Sequence, residues 1–221
     1  MMLTTIMQII YCFGIDLQVY QVMKLVKNVN EKTVIDWFSF CRDICTEKLN
    51  NVDVVLGGDV DSNIIEIDES LFGKKRKYHR GTGRQDTWIF GMVERGKRDI
   101  ILRQVNDRTK DTLIPLIEKH VKKGSTIYSD GWASYTCLQQ KGYEHGVVNH
   151  SVEFKSADGV CTNTIEGLWG LVKGKIKSMK GIRHHRFGDV LDEFMYRYKF
   201  AVKSGDVYHN LLSDIAEFYK I

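Results

Sequence analysis

Apolar positions recur at helical spacing through residues 3–50. Leu3–Phe13 forms one apolar stretch that Gly14 ends, and Asp16 is placed to cap a second helix reaching about Val26. Asn28–Asn30 reads as a turn. Glu31–Leu49 carries Val34, Trp37, Phe38, Cys41 and Cys45 on one helical face. Beyond the turn signal Gly57-Gly58 the period shortens. Ile64–Phe72 and Thr87–Val93 read as strands, Arg95-Gly96-Lys97 as a hairpin turn, and Asp99–Val105 as a third strand. A helix from Thr109 or Asp111 to His120 follows, with Leu113, Leu116 and Ile117 on one face. Pro115 falls in its first turn or so, where proline is tolerated. Then come a short strand Ser125–Ser129 ending at Asp130, a helix Ala133–Lys141, a strand Gly146–Asn149, and helices Asn163–Lys177 and Val190–Lys199.

The order is three antiparallel strands, a helix, a strand, a helix, a strand and further helices. It predicts an α/β fold: a ribonuclease H-like mixed sheet flanked by helices, with a small helical N-terminal region. In such a sheet the first and fourth strands are neighbours, which brings Asp68 and Asp130 together. That is an expectation of the fold rather than of the spacing. The chain divides on this reading into a helical, helix-turn-helix-like region, 1–50, and a catalytic domain, 51–221. Residues 1–50 hold five bases and five acids. A phosphate-binding module should be more basic, so DNA contact and a purely structural bundle stand level for that region.

Composition narrows the setting. Apolar residues are 43% and charged residues 27%, ordinary for a globular chain. No apolar run approaches about 18 residues, so no membrane span is expected. Residues 1–14 lack a basic leader and read as a buried helix rather than a signal peptide. The five cysteines, at 12, 41, 45, 137 and 161, offer no second pair for a zinc knuckle and read as reduced thiols of an intracellular protein. Net charge is only +4, but its distribution is uneven. Residues 51–70 hold six acids and no Lys or Arg. Residues 71–84 hold Lys74, Lys75, Arg76, Lys77, Arg80 and Arg84 and no acid. Residues 171–186 hold six more bases, among them Lys173, Lys175, Lys177 and Arg183. Acids beside bases suit a site that binds cations and a polyanion, although either run alone reads as a solvated surface.

Three acids stand out. Asp68 lies in the strand Ile64–Ser70, Asp130 ends a strand in Tyr-Ser-Asp-Gly-Trp-Ala-Ser-Tyr, and Glu166 lies in Asn-Thr-Ile-Glu-Gly-Leu-Trp-Gly-Leu-Val-Lys. Each also has a plain structural reading: a solvated strand-end acid, a helix N-cap, and an acid welcomed by a helix dipole. Together they form an oxygen-only donor set for Mg²⁺ or Mn²⁺. Two such ions about 4 Å apart activate a water or a 3′-hydroxyl and stabilise a leaving oxygen at a phosphodiester. Trp132 offers a stacking face, and Asn163 caps its helix or orients substrate. Glu153 and Asp158 are rival third acids in a loop-like stretch.

These three motifs, in this order, resemble the ISXO2-like DDE transposases and their eukaryotic relatives, the Merlin elements. The resemblance covers roughly residues 55–200 and extends to Gly181–His185 and Leu191–Tyr198. It implies a ribonuclease H-like domain whose acids, here Asp68, Asp130 and Glu166, are catalytic and hold two divalent ions for strand cleavage and transfer. Lys173 matches a basic residue often found after the Trp of the last motif. The resemblance also implies DNA as partner (terminal repeats and target), a homo-oligomer on DNA, and a location in the nucleus, or in the cytoplasm or nucleoid of a bacterium. The chain departs from the family in lacking the zinc-ribbon cysteines that often open bacterial members. It also carries Lys199-Phe200-Ala201 where the closing helix usually runs on to Arg or Asn. On this reading Lys74–Arg84, Trp132, Asn163, Lys173, Lys175, Lys177 and Arg183 meet the DNA. Two other readings stay open: a catalytically silent, transposase-derived DNA-binding protein, and a ribonuclease H-like nuclease acting on hybrids or RNA.

Overall fold

The computed structural model describes residues 2–58, 64–73, 86–148, 161–179, 182, 184–201 and 206–220. Contacts divide the chain into two compact units. One comprises Met1–Asp53, Ser178–Gly181 and Gly188–Ile221, the other Val54–Lys177 and Ile182–Phe187. Grouping residues 51–221 as one domain overlooks the closing helices, which pack with the N-terminal ones.

The first unit is all helical: α1 (Leu3–Gly14), α2 (Val19–Leu25), α3 (Glu31–Asn50), most of α6 (Phe187–Phe200) and α7 (Asp206–Tyr219). Three helices therefore do not stand alone, because α7 packs on α1 and α3. The core gathers Ile9, Phe13, Val22, Val34, Phe38 and Cys41 with Tyr196 and Leu211. Asp16 does not cap α2. It adopts a left-handed backbone after α1, and Gln18 forms the capping box with Gln21. Glu193 is 1% exposed and bonded by Arg42 (2.7 Å) and Arg197 (2.8 Å). Arg197 also donates to the carbonyls of Phe13 (2.6 Å) and Gly14 (3.0 Å), satisfying the C-terminal end of α1.

The second unit is a mixed five-stranded sheet of β1 (Ile64–Phe72), β2 (Thr87–Glu94), β3 (Ile100–Val105), β4 (Thr126–Asp130) and β5 (Glu144–Val148), in the order β3-β2-β1-β4-β5. β1 pairs antiparallel with β2 and parallel with β4, so the expected ribonuclease H-like adjacency of first and fourth strands is present. Side chains alternate across β1. Ile65 and Ile67 face α4 (Lys110–His120) and pack with Leu113, Ile114, Ile117, Phe90 and Met92. Each such burial contributes about 1.5–3 kcal/mol over exposure. The alternate set, Glu66, Asp68 and Phe72, faces α5 (Asn163–Ser178), whose Ile165, Leu168, Trp169 and Val172 are buried.

Two local expectations change. Pro115 sits in mid-helix on the exposed side of α4, where losing one amide donor is tolerated. The segment 133–141 is not a helix but two short 3-10 turns, Ala133–Tyr135 and Gln139–Lys141. Its side chains are drawn elsewhere: Ser134 bonds the carbonyl of Arg108 and Tyr135 the carboxylate of Glu69.

Candidate active site

Asp68, Asp130 and Glu166 line one open cleft of about 200 Å³, together with Thr162. The sheet register explains the first two. Ile64, Ile65 and Glu66 pair in parallel with Thr126, Ile127 and Tyr128, so two steps further Asp68, in the middle of β1, comes level with Asp130 at the end of β4. Asp130 then turns the chain, its Oδ1 accepting from the backbone N–H of Trp132 at 3.0 Å. Glu166 comes from the first turn of α5, where Thr162 Oγ1 donates to its Oε1 at 3.3 Å.

α5 is pinned by an acid other than the three motif acids. Glu66 is fully buried, yet its oxygens are all engaged: Arg95 Nε (2.5 Å), Thr164 Oγ1 (2.8 Å) and the backbone N–H of Ile165 (2.9 Å). It thereby satisfies a free amide at the N-terminus of α5 and joins the helix to the strand carrying Asp68. Arg95 extends the tie to the carbonyl of Cys161 at 2.6 Å. The expectation that Asn163 caps this helix is not met, since the Ile165 amide is taken by Glu66 and Asn163 itself opens the helix. Gly91 lies directly opposite Asp68 on β2, and a Cβ there would stand 2.7 Å from the Trp169 ring. Only glycine lets α5 approach so closely, and that approach delivers the Trp169 indole N–H to Asp68 Oδ2 at 2.8 Å.

The acids share an electric field. Burial raises the pKa of Asp68. Hydrogen bonds from Trp169 and the Glu69 amide act against the rise, while the charges of Asp130 and Glu166 reinforce it. Next to it, on the opposite face of the strand, Glu69 is pushed up to about 7 by burial, with Asp130 and Asp68 adding to the rise and Tyr135 and Arg108 opposing it. As donors the three cleft carboxylates suit a hard divalent cation, since all are oxygen and their mutual repulsion asks for positive charge. They do not form a closed cage as they stand. Among the described residues no three His, Cys, Asp or Glu side chains are grouped tightly enough to hold one ion.

The remaining expected residues scatter more widely. Lys74, Lys75, Arg76, Lys77, Arg80, Arg84 and Arg183 lie outside the described residues, as do the rival acids Glu153 and Asp158. Lys173 and Lys177 are exposed on α5 and Lys175 is half-buried. Lys173 Nζ stands 5.7 Å from the centre of the Phe72 ring. Trp132 is 38% exposed but already in use: its ring packs on the Arg108 guanidinium and its Nε1 donates to the Arg108 carbonyl at 3.0 Å. The sequence pattern does not single out Glu66, Glu69, Arg95 or Arg108 as site residues. The strand period alone could have placed Glu66 on the face of Asp68. All five cysteines are free thiols, and no helix among the described residues is long and apolar enough to cross a membrane.

Residues 59–199 match the family described as the ISXO2-like transposase domain. An uncharacterized transposase-like protein of Haemophilus influenzae is 31% identical over 87 residues, which is 39% of this chain and 70% of that protein. Among solved structures, the catalytic core domain of BIV integrase aligns with a TM-score of 0.42 at 12% identity, covering 72% of this chain and 99% of that one. An intasome of simian T-cell lymphotropic virus aligns with a TM-score of 0.42 at 10% identity, covering 89% and 69%.

Proposed function

The chain belongs to the ISXO2-like transposase domain family, and from that premise we propose that the cleft cuts and joins DNA strands by in-line attack on phosphodiesters. The supporting observation is the convergence of Asp68, Asp130 and Glu166 on one cleft, from two parallel strands and a helix. Two Mg²⁺ or Mn²⁺ ions held by these carboxylates would supply an activated water or 3′-hydroxyl and charge for the leaving oxygen. The protein's own share is positioning. Glu66 fixes α5 to β1, Trp169 orients Asp68, and the Asp130 turn holds the third acid at the sheet end. Lys173, Lys175 and Lys177 meet the phosphate backbone, so their loss weakens binding to all sequences alike. In this reading the substrates are the terminal repeats and a target duplex, and the protein works as a homo-oligomer on them.

The test is Mn²⁺-dependent nicking of duplex DNA carrying terminal repeats. D130N is expected to lose on the order of a hundredfold or more in rate. Full activity in that variant would overturn the assignment. The second reading is a silent DNA-binding descendant of a transposase. Wild-type protein that binds duplex DNA and leaves it uncut with either ion would establish it.

A further inference from the structure

At the cleft end of the sheet, on the α4 side, the loop after β3 presents one arginine to two indoles. The Arg108 guanidinium carbon lies 4.1 Å over the Trp88 ring and 4.3 Å over the Trp132 ring. The loop beneath it is locked. The Arg108 carbonyl accepts from Trp132 Nε1 (3.0 Å) and Ser134 Oγ (2.8 Å). Asp107 Oδ1 accepts from the Thr109 amide (2.9 Å) and from the hydroxyls of Thr109 (2.6 Å) and Thr112 (2.7 Å). Trp88 pairs with Leu71 near the end of β1, and Trp132 follows Asp130 by two residues. The stack is therefore tied to the turn that carries a cleft acid. Its charge reaches the same field, because Arg108 opposes the upward push on Glu69 that Asp68 and Asp130 reinforce.

A guanidinium lying on aromatic rings keeps its N–H donors at its edge, in a planar fork whose geometry matches two oxygens of a phosphate or carboxylate. Among the described residues that edge donates no side-chain hydrogen bond beyond the stack and joins no ion pair. A structural arginine is usually spent on such bonds, as Arg197 is on two carbonyls and Glu193. Among the described residues Arg108 is held in place and its fork is not taken up by a side-chain acceptor. An acid-lined cleft repels a DNA backbone, so a positioned cation beside the Asp130 turn, at the same end of the sheet, supplies the missing attraction. Pre-ordering by the two rings lowers the entropy lost on binding.

We propose that Arg108 is a phosphodiester-binding residue, gripping one backbone phosphate of the duplex beside the Asp130 turn at the cleft end of the sheet, with Trp88 and Trp132 as its holders. The inference rests on the DNA-processing reading of the cleft and adds a residue that neither the acids nor the lysine runs supply. Trp132 then serves binding indirectly, by holding the arginine, rather than as a platform for bases.

The experiment is fluorescence anisotropy of a labelled duplex across a series of KCl concentrations, with thermal melting of each protein as the fold control. R108Q is expected to bind about tenfold more weakly and to lower the slope of log affinity against log salt by about 0.9, the value for one phosphate contact. R108K keeps the charge and loses the fork, so it is expected to keep the slope and bind severalfold more weakly. Folded R108Q with wild-type affinity and slope overturns the proposal. Should R108Q fail to fold, R108K decides: weaker binding supports the fork, and unchanged binding removes it. Wild-type protein that binds no duplex defeats the underlying reading instead, a result distinct from equal binding by wild type and variant.

Discussion

Acids of the helical unit are treated differently from those at the cleft of the sheet unit. In the helical unit Glu193 is flanked by Arg42 and Arg197, and Asp214 is bonded by Lys48 at 2.8 Å and by the Tyr196 hydroxyl at 2.6 Å. At the cleft of the sheet unit, Asp68 takes an indole N–H and a backbone amide, and Asp130 takes a backbone amide. Among the described residues neither of them has a Lys or Arg partner. The same strand shows that this is not for want of a suitable residue, since Glu66, two positions before Asp68, holds Arg95. Where a carboxylate serves the fold, the chain neutralises it internally. At Asp68 and Asp130, among the described residues, it supplies hydrogen-bond donors and no side-chain cation.

That contrast can be broken most forcefully at Arg197. R197M leaves Glu193 with a single cation in a site that excludes water. A loss of about 3–5 kcal/mol is expected in urea denaturation. A loss below about 1 kcal/mol would mean the internal pairing matters little. A smaller effect of opposite sign is expected at Asp68. D68N removes one of several crowded like charges while keeping an acceptor for Trp169. Without metal its melting temperature should rise by about 2–4 °C, which corresponds to roughly 1 kcal/mol for a chain of this size. The wild type should be stabilised further by millimolar Mg²⁺, and D68N much less. Equal Mg²⁺ responses in a melting assay would show that the cleft does not recruit cations through Asp68.

A pH-dependent effect concerns Glu69. Its folded pKa is about 7 against an ordinary 4.5, so the folded protein keeps a proton that the unfolded chain has released across that interval. Stability from this group is complete below about pH 4.5 and is lost as pH rises through 7. E69Q should remove the slope, melting higher than wild type above pH 7 and level with it near pH 4.5. Parallel melting-versus-pH curves for the two proteins would place the titration elsewhere.

Much of this was legible in the chain itself. β1 and α5 were bounded to within a residue or so, because an apolar run flanked by turn signals and a helical apolar face are both local patterns. The parallel pairing of β1 with β4 followed from element order, and the three motif acids do line one cleft. The supporting residues were not legible. Glu66 in sequence is one more member of an acidic run, and only the packing of α5 shows it to be a buried cap. Gly91 reads as a weak point in a strand until the Trp169 ring is placed against it. Trp132 looked like a free aromatic surface because its partner Arg108 comes from a loop more than twenty residues earlier. The grouping of α6 and α7 with α1–α3 was hidden for the same reason, since it depends on contacts between the two ends of the chain.

The parallel pairing of β1 with β4 also sets an order of events. A parallel neighbour cannot be reached by a tight hairpin, so β2, β3 and α4 must be traversed before Asp130 can dock, and Glu166 arrives later still. A ribosome-bound chain shorter than this holds a hairpin and scattered acids rather than a pocket. The cleft is thus complete only once nearly the whole sheet unit has been synthesised and closed.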